Sequence, residues 1–223
     1  MTLAAPDRRP SAVLFDLDGT LLDTAPDLCA ALNTVLHAEG RPALDLVTAR
    51  LQATHGSRSL LDYAFGDTDA ARRQQLRQAF LTAYQQAIAV HTCYYQGITE
   101  VLAHLQQAEI PTAIVTNKPG ALTEQLVPYF PELHHISVRV AGDILAVAKP
   151  HPEPLLLAAD QLGIAAENCW YVGDAETDII AGRTAGMRTA LASYGYCAPN
   201  AALETWGADW ILRAPNDLLQ LLR

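Results

Sequence analysis

Ala12-Val13-Leu14-Phe15-Asp16-Leu17-Asp18-Gly19-Thr20-Leu21 sets an apolar run directly against two aspartates and a glycine. A short apolar run ending in such residues reads as a buried strand that turns into a loop at Asp16. Two carboxylates one residue apart at a strand end can be held side by side with different tasks. One can attack while the other manages protons, and Gly19 lets the chain turn tightly around both.

Outward from this stretch, short apolar runs recur at Pro111–Val115, Ile136–Val140, Cys169–Val172, Thr189–Ala192 and Trp210–Leu212. Helical stretches alternate with them at Thr99–Ala108, Leu122–Tyr129, Pro154–Leu162, Thr177–Ala185 and Asn216–Leu222. The alternation predicts an α/β fold with a Rossmann-like parallel sheet core, which places its ligands beyond the carboxyl ends of the strands. Between Pro26 and Val90 nothing reads as a strand and helix formers dominate, notably at Leu28–Ala38 and Ala70–Val90. The expected organisation is a catalytic core of residues 1–24 and 96–223, with a small all-helical cap domain, residues 25–95, inserted after the first strand.

At 223 residues and 50% hydrophobic composition the chain can bury a substantial core. Its net charge of −9 offers no basic footprint, so neither nucleic acid nor an anionic membrane is an expected partner. No apolar run approaches the length of a membrane span, and the run at Ala12–Phe15 is too short for a signal peptide. Cys29, Cys93, Cys169 and Cys197 form no C-x-x-C pair or zinc spacing and read as reduced, mostly buried thiols. A cytoplasmic enzyme is expected, and no oligomeric state follows from the sequence.

The first stretch resembles the nucleophile motif of the haloacid dehalogenase-like superfamily, and three further segments match that family in order. Val115-Thr116-Asn117-Lys118 follows a predicted strand, Lys149-Pro150 supplies a lysine, and Gly173-Asp174-Ala175-Glu176-Thr177-Asp178 supplies an acidic motif. The resemblance implies Asp16 as nucleophile and Asp18 as acid and base. Thr116 is a hydroxyl donor to phosphate, the Asn117 backbone a second donor, and Lys149 the cation beside Asp16. Lys118 is a further candidate for phosphate contact. Asp16, the Asp18 main-chain carbonyl and Asp174 are the implied Mg²⁺ ligands, with Asp178 acting directly or through water.

Within the superfamily, Asp18 argues against a dehalogenase, and the absence of lysine from Pro26 to Val90 argues against a Schiff-base phosphonate hydrolase. Gly173-Asp174 stands where mutases carry Glu-Asp, which favours hydrolysis over transfer. The chain is similar to the phosphoglycolate phosphatase-like group through Asp23-Thr24-Ala25-Pro26-Asp27, Thr116-Asn117-Lys118-Pro119 and Lys149-Pro150-His151-Pro152. Gly186-Met187-Arg188-Thr189, Tyr194-Gly195-Tyr196 and Trp206-Gly207-Ala208-Asp209 are also similar to N-acetylmuramic acid 6-phosphate phosphatases. The expected partner is a small-molecule phosphate ester resembling 2-phosphoglycolate, with the sugar phosphate as alternative. A phosphosugar mutase or a dormant metabolite-binding relative would be a more distant reading.

Substrate choice is expected in the cap, at a loop formed by His55, Gly56, Ser57 and Arg58 between two helical stretches. This segment departs from the Gly-x-Gly common there in phosphoglycolate phosphatases. The remaining histidines do not converge, and only His151 lies near a matched segment. Trp206 and Trp210 read as core packing against the sheet.

Overall fold

The computed structural model describes residues 9–54, 56–198 and 200–222. The chain divides into two compact units, one holding the chain up to Leu22 and from Tyr94 onward, the other Asp23–Cys93.

In the first unit, β1 is the opening strand Ala12–Phe15. The chain leaves through the short strand β2, Leu22–Asp23, into the helices α1 (Ala25–Ala38), α2 (Leu46–Ala53), α3 (Gly56–Phe65) and α4 (Ala70–Gln86). It returns through β3, Cys93–Tyr94, which pairs with β2. There follow α5 (Ile98–Gln107), β4 (Thr112–Val115), α6 (Gly120–Leu126), β5 (Val138–Val140) and α7 (Glu153–Leu162). The chain closes with β6 (Cys169–Gly173), α8 (Glu176–Thr184), β7 (Arg188–Ala192), β8 (Trp210–Leu212) and α9 (Asp217–Leu221).

Six strands form one sheet in the order β5-β4-β1-β6-β7-β8, and all neighbouring pairs are parallel. By order along the chain this is 3-2-1-4-5-6, the doubly wound arrangement whose crevice opens where the winding reverses, between the first and fourth strands. Here those strands are β1 and β6. Phe15 is in register with Ile114 on one side and Val172 on the other, so Asp16, Thr116 and Asp174 leave the sheet at the same end within two residues of one another.

The central strand β1 is apolar and buried along its whole length, as expected of a parallel strand covered on both faces. Ala12, Leu14, Ala113, Val115 and Tyr171 pack with Leu155, Ala158 and Ala159 of α7 and Ala181 of α8. The alternate residues Val13, Phe15, Ile114 and Val172 are buried as well.

In the second unit, α1 buries Leu28, Leu32, Val35 and Leu36, and α4 buries Leu76, Phe80 and Tyr84. Asp45 and Asp69 cap α2 and α4 by accepting hydrogen bonds from the Thr48 and Arg72 N–H groups, at 2.9 and 2.8 Å. Asp27, 2% exposed, accepts from the main-chain N–H groups of Val90, His91 and Thr92 and from Thr92 Oγ1. That cluster fixes the segment where the helical unit hands the chain back.

The α/β class, the parallel sheet and the helical insertion are those expected. Several local expectations need correction. The helix expected over Ala70–Val90 stops at Gln86, where Ala87 adopts φ −141°. The expected loop at 55–58 is instead the opening of α3, which contains Gly56, Ser57 and Arg58, while His55 lies outside the described residues. Trp210 is buried against Trp170 with ring centroids 4.6 Å apart, whereas Trp206 is only half-buried in a 3₁₀ turn. Cys29 and Cys169 are buried, Cys197 is half-buried and Cys93 is exposed, all as free thiols. No described helix is long and apolar enough to cross a membrane.

Candidate active site

Asp16 emerges from β1 with its N–H bonded to the Val172 carbonyl at 2.9 Å. Its Oδ1 accepts from the Leu17 N–H at 2.7 Å and lies 2.9 Å from Lys149 Nζ. One oxygen of the carboxylate is therefore anchored while the other carries no such hold.

Lys149 is 5% exposed, and a lysine so placed is tolerable only when its charge and its donors are matched. Its ammonium also meets Asp178 Oδ1 at 2.7 Å, the Tyr171 hydroxyl at 2.8 Å and the Val115 carbonyl at 3.0 Å. The backbone carrying it is clamped from β4's exit loop. Asn117 Nδ2 donates to the Lys149 carbonyl and Asn117 Oδ1 accepts from the Lys149 N–H, both at 3.0 Å. The Asn117 side chain is thus committed to the lysine.

Asp174 and Asp178 come from the exit of β6 and the first turn of α8. Asp174 accepts from the Tyr196 N–H at 2.8 Å and from Thr20 Oγ1 at 3.2 Å. Asp178 Oδ2 caps α8 through the Ala175 N–H at 2.9 Å, and its Oδ1 also meets the Tyr171 hydroxyl at 3.1 Å. The loops close around Asp174 at glycines. A Cβ on Gly19, whose φ is +82°, would lie 2.3 Å from Asp174 Oδ2, and one on Gly195 would lie 2.2 Å from the Gly19 carbonyl oxygen.

Asp18 sits above this floor, and both its oxygens accept from Lys118 Nζ, at 3.1 and 3.2 Å. Thr116, 4% exposed, accepts from the Lys118 N–H at 3.2 Å, which leaves its hydroxyl proton free to donate elsewhere.

The electrostatics follow from three carboxylates buried beside one ammonium. Burial raises the Asp16 carboxyl to about 6, against the opposing pull of Lys149 and with help from Asp178. Asp174 is pushed well above the usual carboxylate range, first by burial and then by Asp178 and Asp16. For Lys149 burial opposes the charge, yet Asp16 and Asp178 outweigh it and raise the ammonium's pKa. Burial, with Asp178 next to it, holds the Tyr171 hydroxyl neutral. The cluster is short of positive charge.

A divalent cation fits that deficit. Asp16, Asp174 and Asp178 each offer an oxygen, and these atoms lie within 4.8 Å of one another. An all-oxygen donor set suits Mg²⁺. Asp178, already engaged by Lys149, Tyr171 and the Ala175 N–H, has the least capacity left for direct ligation.

Asp16, Asp18, Thr116, Asn117, Lys118, Lys149, Asp174 and Asp178 are thus brought to one end of the sheet. Gly56, Ser57 and Arg58 belong to the helical unit, where Arg58 is 81% exposed along its side chain and 3.8 Å from Asp62. His151 is exposed and accepts from the Glu153 N–H at 3.3 Å at the start of α7. Tyr171 is the contact residue that sequence reasoning missed, because an aromatic in an apolar strand reads as packing. Its place three residues before Asp174, in the strand that feeds an acidic loop, was the available signal.

The sequence profile of the family described as haloacid dehalogenase-like hydrolase matches residues 13–192. Over 211 residues the chain is 43% identical to a phosphoglycolate phosphatase of Xanthomonas campestris pv. campestris, covering 95% of this chain and 96% of that one. Over 215 residues it is 41% identical to an N-acetylmuramic acid 6-phosphate phosphatase of Pseudomonas aeruginosa, covering 96% and 95%. The crystal structure of a predicted phosphoglycolate phosphatase from Haemophilus somnus 129PT has the same fold. Its TM-score is 0.85 at 24% identity, over 98% of this chain and 100% of that one. With its sheet order, its acidic strand-end cluster and these matches, the chain belongs to the haloacid dehalogenase-like hydrolase family, as an enzyme of the phosphatase kind.

Proposed function

We propose that this chain is a Mg²⁺-dependent phosphatase of small-molecule phosphate monoesters, with Asp16 as nucleophile and Asp18 as acid and base. The observation that carries the reading is the placement of Asp16 between Lys149 and Asp174 at the reversal point of the sheet. One Asp16 oxygen forms a bond to phosphorus as the ester P–O bond breaks, and Asp18 gives its proton to the departing alkoxide. Asp18 then takes a proton from a water whose oxygen attacks the phosphorus of the aspartyl-phosphate. The bond to Asp16 breaks, inorganic phosphate leaves, and both side chains return to their starting state.

Thr116 Oγ1 and the Asn117 backbone N–H are suited to hold phosphoryl oxygens, and Lys149 offsets their charge beside Asp16. Bound at Asp16, Asp174 and the Asp18 main-chain carbonyl, with Asp178 direct or through water, Mg²⁺ would neutralise the transferring phosphoryl group. Asp16→Asn should lower phosphate release by more than about 10²-fold, since an amide cannot attack phosphorus. Retention of a tenth of the activity would end the nucleophile assignment.

For the substrate we favour 2-phosphoglycolate, on the subgroup motifs and the 43% identical relative. N-acetylmuramic acid 6-phosphate is the second reading, supported by the 41% identical relative. Phosphate release from both, with p-nitrophenyl phosphate as reference, decides between them. Transfer of phosphate to a sugar without release would instead identify a mutase, and no turnover at all a binding protein. Arg58 is proposed to contact the polar end of the substrate. Arg58→Ala should cost roughly 10- to 150-fold in kcat/KM on the true ester, from about 1.5–3 kcal/mol, and little on the aryl ester. Equal losses on all three esters would remove it from substrate recognition.

A further inference from the structure

Among fifteen lysines and arginines only two are lysine, Lys118 and Lys149. Each meets one aspartate of the first loop. Lys149 Nζ lies on Asp16 Oδ1, whereas Lys118 Nζ spans both oxygens of Asp18. An ammonium is a compact point charge that fits a crowded site where a guanidinium fork does not.

Lys118 is held from beneath. Its N–H donates to Thr116 Oγ1, and its carbonyl accepts from the Gly142 N–H at 2.9 Å. Gly142 can have no side chain there, because a Cβ would lie 2.3 Å from the Asn117 carbonyl oxygen. The residue is 7% exposed, while the Asp18 side chain is 22% exposed. The buried, pinned partner therefore sets the position of the more open one.

We infer that Lys118 is the positioning residue of Asp18, an assignment that rests on the phosphatase chemistry proposed above. Its ammonium fixes the Asp18 carboxylate as an acceptor on both oxygens, the state in which Asp18 takes a proton from the attacking water. Without it Asp18 samples other rotamers, and a misplaced base slows hydrolysis of the aspartyl-phosphate without weakening substrate binding. A lysine that bound the phosphoryl group directly, as the sequence suggested, would act mainly on KM.

The test is a double-mutant cycle of Lys118→Met and Asp18→Asn, turning over p-nitrophenyl phosphate with Mg²⁺, each variant first checked by its melting curve. Lys118→Met should lower kcat roughly 10- to 100-fold with KM falling alongside it, so that kcat/KM stays within about threefold, and should cost less than about twofold in the Asp18→Asn background. Multiplying losses overturn the assignment. So does a joint rise in KM and in the inhibition constant of inorganic phosphate at unchanged kcat.

Should Lys118→Met not fold, Lys118→Gln runs the same cycle. Should Asp18→Asn fall below detection, acid-quenched Lys118→Met must hold more phosphorylated Asp16 than wild type, since the nitrophenolate leaves without help. A wild-type level refutes the positioning role. Asp16→Asn separates the two inferences: activity there refutes the phosphatase chemistry itself, whereas an inactive Asp16→Asn beside multiplying losses refutes only the role of Lys118.

Discussion

Lys149→Met removes one charge from the centre of the acidic cluster while keeping most of the aliphatic stem. The ammonium has four partners within 3.0 Å: Asp16, Asp178, the Tyr171 hydroxyl and the Val115 carbonyl. Breaking a buried pair from one side costs roughly 3–5 kcal/mol, because the partner charge is left unmatched. For a chain of this size each kcal/mol lowers the melting temperature by about 2–4 °C, so a fall of about 6–20 °C is expected. A stability of about 5–15 kcal/mol leaves the variant largely folded at room temperature.

The deficit should depend on pH with a definite sign. Asp16 stands at about 6 with Lys149 opposing the effect of burial, and without Lys149 it rises further. A carboxyl raised above its unfolded value of about 4 binds its proton more tightly when folded. Its contribution to stability is then present at low pH and lost as the pH rises through the folded value. The melting temperature of Lys149→Met should therefore trail wild type most at pH 8 and least near pH 5, as read by circular dichroism in EDTA. A fall of less than about 2 °C at pH 8, or an equal deficit at both pH values, would refute the charge-balance account. Phosphatase activity should drop by more than about 10²-fold in the same variant.

EDTA should stop turnover, and Mg²⁺ should restore it better than Ca²⁺, whose looser shell does not hold a tight octahedral arrangement; equal recovery with both would contradict the site's proposed geometry. Because Asp16 and Asp174 are raised and must release protons to ligate, Mg²⁺ affinity measured by calorimetry should weaken as pH falls through about 6. Constant affinity from pH 5 to 7.5 would disprove that coupling. Gly195→Ala places a methyl against the Gly19 carbonyl and Asp174, and overpacking of that kind costs about 1–3 kcal/mol. Its melting temperature should fall and its Mg²⁺ requirement rise, and wild-type values for both would show that the loop relaxes.

The sheet was legible because its central strands are buried on both faces and so read as short apolar runs; β1 and β8 begin and end where the runs do. The helix α2 was not. Its buried residues are two alanines, Ala49 and Ala53, and no apolar stripe marks it; only Asp45, its cap, could have announced it. At the site, Asp16 and Asp174 were readable because local sequence fixes a strand end and a turn. Tyr171 and the side chain of Asn117 were not, since each acts on Lys149 across a long sequence separation. Asp27 was noticed within a motif, but its bonds to Val90, His91 and Thr92 depend on where the chain comes back.

Confinement of lysine to two sheltered positions also shapes how the folded chain meets reagents. Lys118 and Lys149 are 7% and 5% exposed, so an amine-directed acylating reagent finds no lysine on the surface of the native protein. Both ε-amines become reachable only when the loops around the Asp16 cluster part. The rate at which these two positions acquire label, followed by peptide mass, therefore reports how often the crevice opens, with no dye, fusion or engineered cysteine required.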